Sequence, residues 1–302
     1  MTLPHLEVRG YQDEPPQMPS GTVGKNGALR LRFERRGDRT ALVELYRRAP
    51  LLVQQALYWD EMRPGLPCVY IITTSGCVLQ GDRSTIDIQV GADAEAHVTT
   101  QAATKIHSMD ANYATQYQQL VLCDNAYLEY VPQPLIPHKH ARFLSDTRIV
   151  IGNGATLLFC EVLLPGRKYH GRGEVFEFDV FSTTVSAKRV VGEELFTEKL
   201  VIQPAAQSVR SIGVMGSFDV FGNVILLTPK QHAERILEQV PAVVDRYESW
   251  AAGASRLPNE AGLVYKVLGT ESAQVRAKVR EFWSLTRREV LGVPLAREFL
   301  WQ

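Results

Sequence analysis

From residue 29 onward the chain alternates apolar and polar positions with a period of two. Leu29, Leu31 and Phe33 alternate with Arg30 and Arg32, which predicts a half-buried strand. Arg36-Gly37-Asp38 supplies turn chemistry, and Ala41, Val43 and Leu45 repeat the alternation, so the pair reads as a hairpin. Ile86, Ile88 and Val90 alternate again before Gly91, and further strands are expected around 117–122, 126–131, 147–151 and 156–163. Three turns look alike: Gly91-Ala92-Asp93-Ala94, Cys123-Asp124-Asn125-Ala126 and Gly152-Asn153-Gly154-Ala155. Their alanines recur about every 30 residues, a period that suggests stacked β coils with equivalent positions in rows. Short turns of this composition occur in any β protein, so the period alone leaves both arrangements open.

Beyond residue 228 the pattern changes. Thr228-Pro229 offers a capping hydroxyl followed by proline in the first turn of a helix. Ile236, Val240, Val243, Val244 and Tyr247 fall at helical spacing, with Pro241 kinking or restarting the helix. A second helix is expected from about Glu271 to Leu291, ending at Gly292, with Val275, Val279, Phe282 and Val290 on one face. The expected fold is mainly β: a stacked-strand, solenoid-like body with two C-terminal amphipathic helices. Residues 1–21, with Pro15, Pro16 and Pro19, read as a flexible arm. Residues 22–302 read as one domain, a β body to about 228 and a helical part after it. The helices either cover an open end of the body or present a docking face.

Composition narrows the function. Of 302 residues 45% are hydrophobic and 22% charged, as in an ordinary globular chain. Lys plus Arg and Asp plus Glu each number 33, so no net field draws the chain to nucleic acid or an anionic membrane. The first residues lack a basic start followed by an apolar run, and no apolar stretch reaches the length of a membrane span. Cys68, Cys77, Cys123 and Cys160 show no C-x-x-C spacing and read as reduced thiols, so a cytoplasmic chain is expected.

Candidate chemistry is sparse. The stretch TTQAATKIHSMD gathers Thr99, Thr100, Lys105 and His107, yet lacks the S-x-x-K spacing that would let a lysine activate a hydroxyl. Gly21–Gly27 has the wrong spacing for a phosphate loop, and no nucleophile elbow or H-E-x-x-H occurs. His138-x-His140 would place two imidazoles on one side of a strand, two ligands short of a structural metal site. Glu129, Glu161 and Glu174 stand out because each interrupts an apolar run: YLEYV, LLFCEVLL and GEVFEF. A carboxylate on a core strand faces solvent by alternation or is buried at real cost unless paired. Glu161 lies in a run apolar on both faces, with Arg167 or Lys105 as the expected partner. It reads either as half of a structural ion pair or as part of a polar lining inside the body.

Taken in order, GDR (Gly81–Arg83), TTQAATK (Thr99–Lys105), LEYVPQPLIP (Leu128–Pro137) and GR…GRGE (Gly166–Glu174) resemble the urease accessory proteins of the UreD (UreH) family. The likeness runs from the hairpin at Leu29 to VYKVLG and FWSLTRREVLG near the end. Cys77 and Gln80 in SGCVLQGD, and Tyr130 in LEYVPQ, depart from the usual family pattern without changing a charge.

The resemblance implies a non-enzymatic scaffold. It would bind apo-urease subunits with a UreF-type protein and a nickel-delivering UreG-type GTPase, in a heteromeric complex that can itself dimerise. It would hold no resident cofactor, only nickel in transit along an internal route. Carried over by motif, Asp82, Glu129, Glu161 and Glu174 are the candidate path, with Glu161, Glu174 and Asp82 expected as one interior row. Thr100, Lys105, Gln133 and Arg167 are the scaffold positions. Spaced oxygen ligands suit a passing Ni(II), which accepts carboxylate and water without being trapped. The alternative from another class is a β-solenoid carbohydrate-active enzyme with Asp82, Glu129 or Glu161 as acid and base.

Overall fold

The computed structural model describes residues 5–13, 26–247 and 249–296. Strands β1 (Asn26–Arg36), β2 (Arg39–Arg48), β3 (Leu51–Leu52), β4 (Cys68–Thr73), β5 (Arg83–Val90) and β6 (Glu95–Thr100) come first. Then follow β7 (Thr104–Ile106), β8 (Ala114–Leu122), β9 (Tyr127–Tyr130), β10 (Leu135–Pro137), β11 (Arg142–Ile151) and β12 (Thr156–Leu163). β13 (Val180–Arg189), β14 (Glu194–Ile202) and β15 (Val220–Leu227) precede helix α1 (Lys230–Leu237). β16 (Val243–Asp245), β17 (Trp250–Arg256) and β18 (Gly262–Gly269) precede α2 (Ser272–Leu291).

These strands form two mixed sheets. One runs β14-β13-β11-β8-β5-β1-β2; the other runs β16-β17-β18-β15-β12-β9-β6-β4-β3, with β7 and β10 beside it. From β5 to β12 the longer strands alternate between the sheets and add in parallel, so Ile88, Leu120, Ile149 and Ala187 stand in register across the first sheet. Ala96, Leu128 and Leu157 do the same across the second. The β1–β2 and β13–β14 hairpins and the β12-β15-β18-β17 set add antiparallel edges. The three similar turns stack on one another. Asp93, Asn125 and Gly154 each take a left-handed backbone conformation. The N–H of Asp93 donates to the Asp124 carbonyl (3.1 Å) and that of Asn125 to the Asn153 carbonyl (2.8 Å). The alanine after each turn is buried.

The sheets face one another across a core in which Ile86, Ile88 and Leu120 meet Leu128, Leu157 and Phe159. The outer face of the larger sheet is covered by both helices: Leu158, Cys160, Val224 and Val267 pack on Ile236, Val275, Val279, Phe282 and Trp283. Three layers result, and the middle sheet is buried on both faces. That explains why TLLFCEVL is apolar at consecutive positions, since alternate side chains enter different cores.

Several expectations change. The first helix ends at Leu237; Pro241 lacks the N–H needed to continue it, and Val243–Asp245 becomes a short strand. Val244 and Tyr247, expected on a helical face, are exposed. The β body therefore continues past residue 228 through β16–β18, and VYKVLG lies in a strand. The Thr228 hydroxyl does not cap α1; its Oγ1 lies 2.9 Å from Thr156 Oγ1. α2 starts and stops where expected. The Glu271 N–H donates to Gln274 Oε1 (3.2 Å), and Gly292 takes φ 73°, a left-handed stop. Of the expected arm, residues 5–13 are held to the first sheet: Val8 is buried, Ser182 Oγ donates to Glu7 Oε1 (2.6 Å), and the Arg142 guanidinium sits 4.0 Å from the Tyr11 ring centre. Residues 1–4 and 14–21 lie outside the described residues. Among the described residues no helix is long and apolar enough to cross a membrane.

Candidate functional site

The candidate carboxylates separate by strand parity. On β9 and β12, Leu128, Tyr130, Leu157 and Phe159 face the first sheet. Glu161, two positions beyond Phe159, points the same way, whereas Glu129 faces the helices.

Glu161 faces a cleft of about 50 Å³ between the sheets, room for a few water molecules at roughly 10–15 Å³ each. Asp82, Thr100 and Gln133 line the same cleft, together with Cys77, Ser84, Gln116, Gln118 and Ser145. The motif residues here are fixed by local bonds. Asp82 Oδ2 accepts the Leu79 N–H (2.8 Å), closing the turn before β5, and Thr100 Oγ1 accepts the Gln133 N–H (2.9 Å). Thr183 Oγ1 reaches both Glu161 oxygens, at 3.1 and 3.3 Å. Burial pushes the Glu161 carboxyl up to about 7; the Thr183 hydrogen bond opposes this and the Glu198 carboxylate adds to it. Neither Arg167 nor Lys105 pairs with Glu161, correcting the expected ion pair. Ser145 is buried, and its Oγ has no hydrogen-bond partner among the described residues. A buried hydroxyl of that kind calls for water or a ligand.

Beside the motif residues, the cleft draws polarity from Ser84, Gln116 and Ser145, which the motifs did not flag. Ser84, Gln116, Ser145 and Thr183 stand in register across β5, β8, β11 and β13. On each strand the same face becomes apolar further along, as in Ser84, Ile86, Ile88 and Val90. That repeated step from polar to aliphatic at two-residue spacing was the available signal.

Glu129 serves a different structure. It is fully buried, and the Arg287 guanidinium of α2 donates to both its oxygens, Nε to Oε1 (2.5 Å) and Nη2 to Oε2 (2.9 Å). Arg287 Nη1 donates to Asp60 Oδ2, Tyr127 Oη donates to Glu129 Oε1 (2.7 Å), and His97 Nδ1 lies 3.0 Å from Oε2. Trp283 stacks on His97 with ring centres 5.2 Å apart. Burial alone would raise the Glu129 carboxyl, but the Arg287 charge and the His97 bond outweigh it and hold it well below the usual range. Burial keeps His97 below its ordinary value, so it is a neutral imidazole donating from Nδ1. With its oxygens taken by Arg287, Tyr127 and His97, Glu129 anchors α2 and is no part of the cleft.

Glu174 is not on a strand. It lies in the loop between β12 and β13, where Arg167 Nε donates to Oε2 (2.7 Å) and Nη2 to Oε1. These bonds bring its carboxyl down to about 2. Gly166, at φ 134°, is pressed so close that a Cβ there would come within 2.6 Å of the Glu174 carbonyl oxygen. The GR…GRGE motif is thus a loop clasp outside the cleft lining, and the expected row of Asp82, Glu161 and Glu174 reduces to Asp82 and Glu161. Lys105 is exposed on β7. PHKHA forms a turn, with His140 at φ 59° and its Nδ1 3.1 Å from Asp179 Oδ1, so His138 and His140 do not share a strand face. Among the described residues no group of three or more His, Cys, Asp or Glu is placed to hold a metal ion.

Residues 25–302 match a family model described as UreD urease accessory protein. The chain is 57% identical over 295 residues to the urease accessory protein UreD 2 of Brucella suis biovar 1 (strain 1330), covering 98% of each. It is 55% identical over 296 residues to the urease accessory protein UreD of Yersinia pseudotuberculosis serotype O:1b (strain IP 31758), covering 98% of this chain and 92% of that one.

Two outcomes follow from the electrostatics. Arg287→Ala strands two buried carboxylates and is expected to lower unfolding stability by about 3–5 kcal/mol; a loss below about 1 kcal/mol in urea titration would mean that the cluster is not an anchor. Glu161 has a folded pKa above its unfolded one. Its contribution is therefore full below pH about 4.5 and is lost as pH rises through about 7. Glu161→Gln should remove that decline, seen as a wild-type-minus-variant stability difference that falls between pH 4.5 and 7; a flat difference contradicts the assignment.

Proposed function

The chain belongs to the UreD family of urease accessory proteins, and we propose that within urease maturation it acts as the scaffold through which nickel reaches the enzyme. It is an accessory protein rather than an enzyme, and its role lies in urease maturation. In this reading it works in the cytoplasm, binding apo-urease together with a UreF-type protein and a nickel-delivering UreG-type GTPase. Ni(II) is cargo, held only in passing.

The observation that carries the reading is the Glu161 carboxylate facing a polar cleft inside an otherwise aliphatic β body. We read the stacked passes of residues 83–163 as a solenoid-like centre that builds this wall. Val98, Tyr130 and Phe159 stand in register, and two positions on, Thr100, Pro132 and Glu161 all line the cleft. Carboxylate, hydroxyl and amide oxygens are modest ligands for a borderline divalent cation, so they exchange it rather than retain it. A carboxyl that titrates near neutrality adds to this, because protonation releases the ion. Asp82 contributes a second carboxylate to the lining; Glu129 and Glu174 hold the scaffold. Of the acid–base candidates in the carbohydrate-enzyme reading, Glu129 is spent on Arg287 and turned to the opposite face of the sheet.

The reading is tested by activating apo-urease with purified accessory proteins at limiting nickel. Glu161→Ala is expected to keep partner binding while lowering urease nickel content several-fold. Ser145→Leu, which fills the cleft without touching a carboxylate, should do the same. Normal activation by both variants would reduce the cleft to a packing defect.

A further inference from the structure

The histidine that His138 meets is not His140. β7 and β10 run in parallel with Ile106 beside Pro137, and the His138 N–H donates to the Ile106 carbonyl (2.9 Å). The next residues out are His107 and His138, whose ring centres lie 5.4 Å apart with planes inclined by 55°. His138 is only 7% exposed, and its imidazole makes no hydrogen bond among the described residues. His107 is exposed; its Nδ1 lies 3.3 Å from the Ser108 carbonyl oxygen, which leaves Nε2 available.

An imidazole this enclosed with neither nitrogen engaged among the described residues leaves its ring nitrogens open to water or a cation. Two imidazoles that share a cation at about 2.1 Å from each nitrogen place their ring centres roughly 4.5–5.5 Å apart, depending on the angle at the metal. The observed separation falls in that range. We propose that His107 and His138 form a two-imidazole site for a divalent transition cation, Ni(II), Zn(II) or Cu(II), with water completing the coordination.

The surroundings allow it. The charged and titratable groups that act on His138 are Arg167, His107, Glu174 and Lys105. Burial first, and then Arg167, hold His138 below its ordinary value, so it offers a lone pair at neutral pH. Arg167 is matched by Glu174, and Lys105 is exposed and free to turn outward. The site sits three residues beyond Thr104 and Leu135, which line the inter-sheet cleft. It does not depend on the cleft carrying nickel.

The test is equilibrium dialysis of the purified full-length chain against Ni(II), wild type beside His107→Ala, His138→Ala and His140→Ala. The first two variants should each weaken one bound equivalent at least tenfold, and His140→Ala should leave it unchanged. His107 is exposed, so its variant remains informative if His138→Ala fails to fold. With one equivalent of Cu(II), electron paramagnetic resonance should show two equatorial nitrogens in wild type and one after His107→Ala. Unchanged Ni(II) stoichiometry and affinity in His107→Ala overturns the site. So does a result in which the substitutions alter binding of inorganic phosphate, an anion suited to Lys105 and Arg167, and leave Ni(II) untouched. Loss of the Ni(II) equivalent with normal urease activation leaves the cleft reading standing and separates the two proposals.

Discussion

β6, β9 and β12 are covered on both faces, by the first sheet on one side and by α2 on the other. Alternation then sends neighbouring residues of one strand into different interiors, so a charge placed one residue earlier or later meets a different environment. Glu129 enters the helix-covered side and needs a cation of matching burial, which Arg287 supplies. Glu161 enters the inter-sheet side, where among the described residues no cation pairs with it and the Thr183 hydroxyl is its hydrogen-bond partner.

Two kinds of interior carboxylate result from this parity, one fully buried and one half-buried. A fully paired one fixes structure: Asp60, Glu129, Arg287, His97 and Trp283 tie a loop, two central strands and the last helix into one cluster. Removing a single partner there is costly because the remainder stays buried and charged. An under-satisfied carboxylate beside a small cleft retains lone pairs for something mobile. The second kind fits the proposed passage of a cation, and it lines the same cleft as Ser145, a buried hydroxyl with no hydrogen-bond partner among the described residues.

Local chemistry was the legible part of the sequence. The first hairpin, the three similar turns and both ends of α2 follow from turn and capping residues that act within a few positions. Glu161 was legible as interior because aliphatic residues flank it on both parities. Glu129 was not legible as an anchor, since Arg287 lies 158 residues further along and the helix layer that decides the face comes last in the chain. GEVFEF reads as a strand by alternation, yet Phe176 at φ 56° and the Gly166 clasp bend it into a loop. Val243 and Val244 fit either period over so short a run, and Pro241 decided for the strand. The H-x-H spacing pointed to a partner two residues away, while the parallel pairing of β7 and β10 brought His107 instead.

Passage of nickel through this protein requires cation access to the face of the middle sheet that holds Glu161. The most direct measurement is anomalous diffraction at the nickel edge from crystals of the protein soaked in dilute Ni(II). A peak between the sheets beside the Glu161 carboxylate is the result expected. Soaked crystals with no anomalous density between the sheets, whatever they show on the outer surface, would contradict the account.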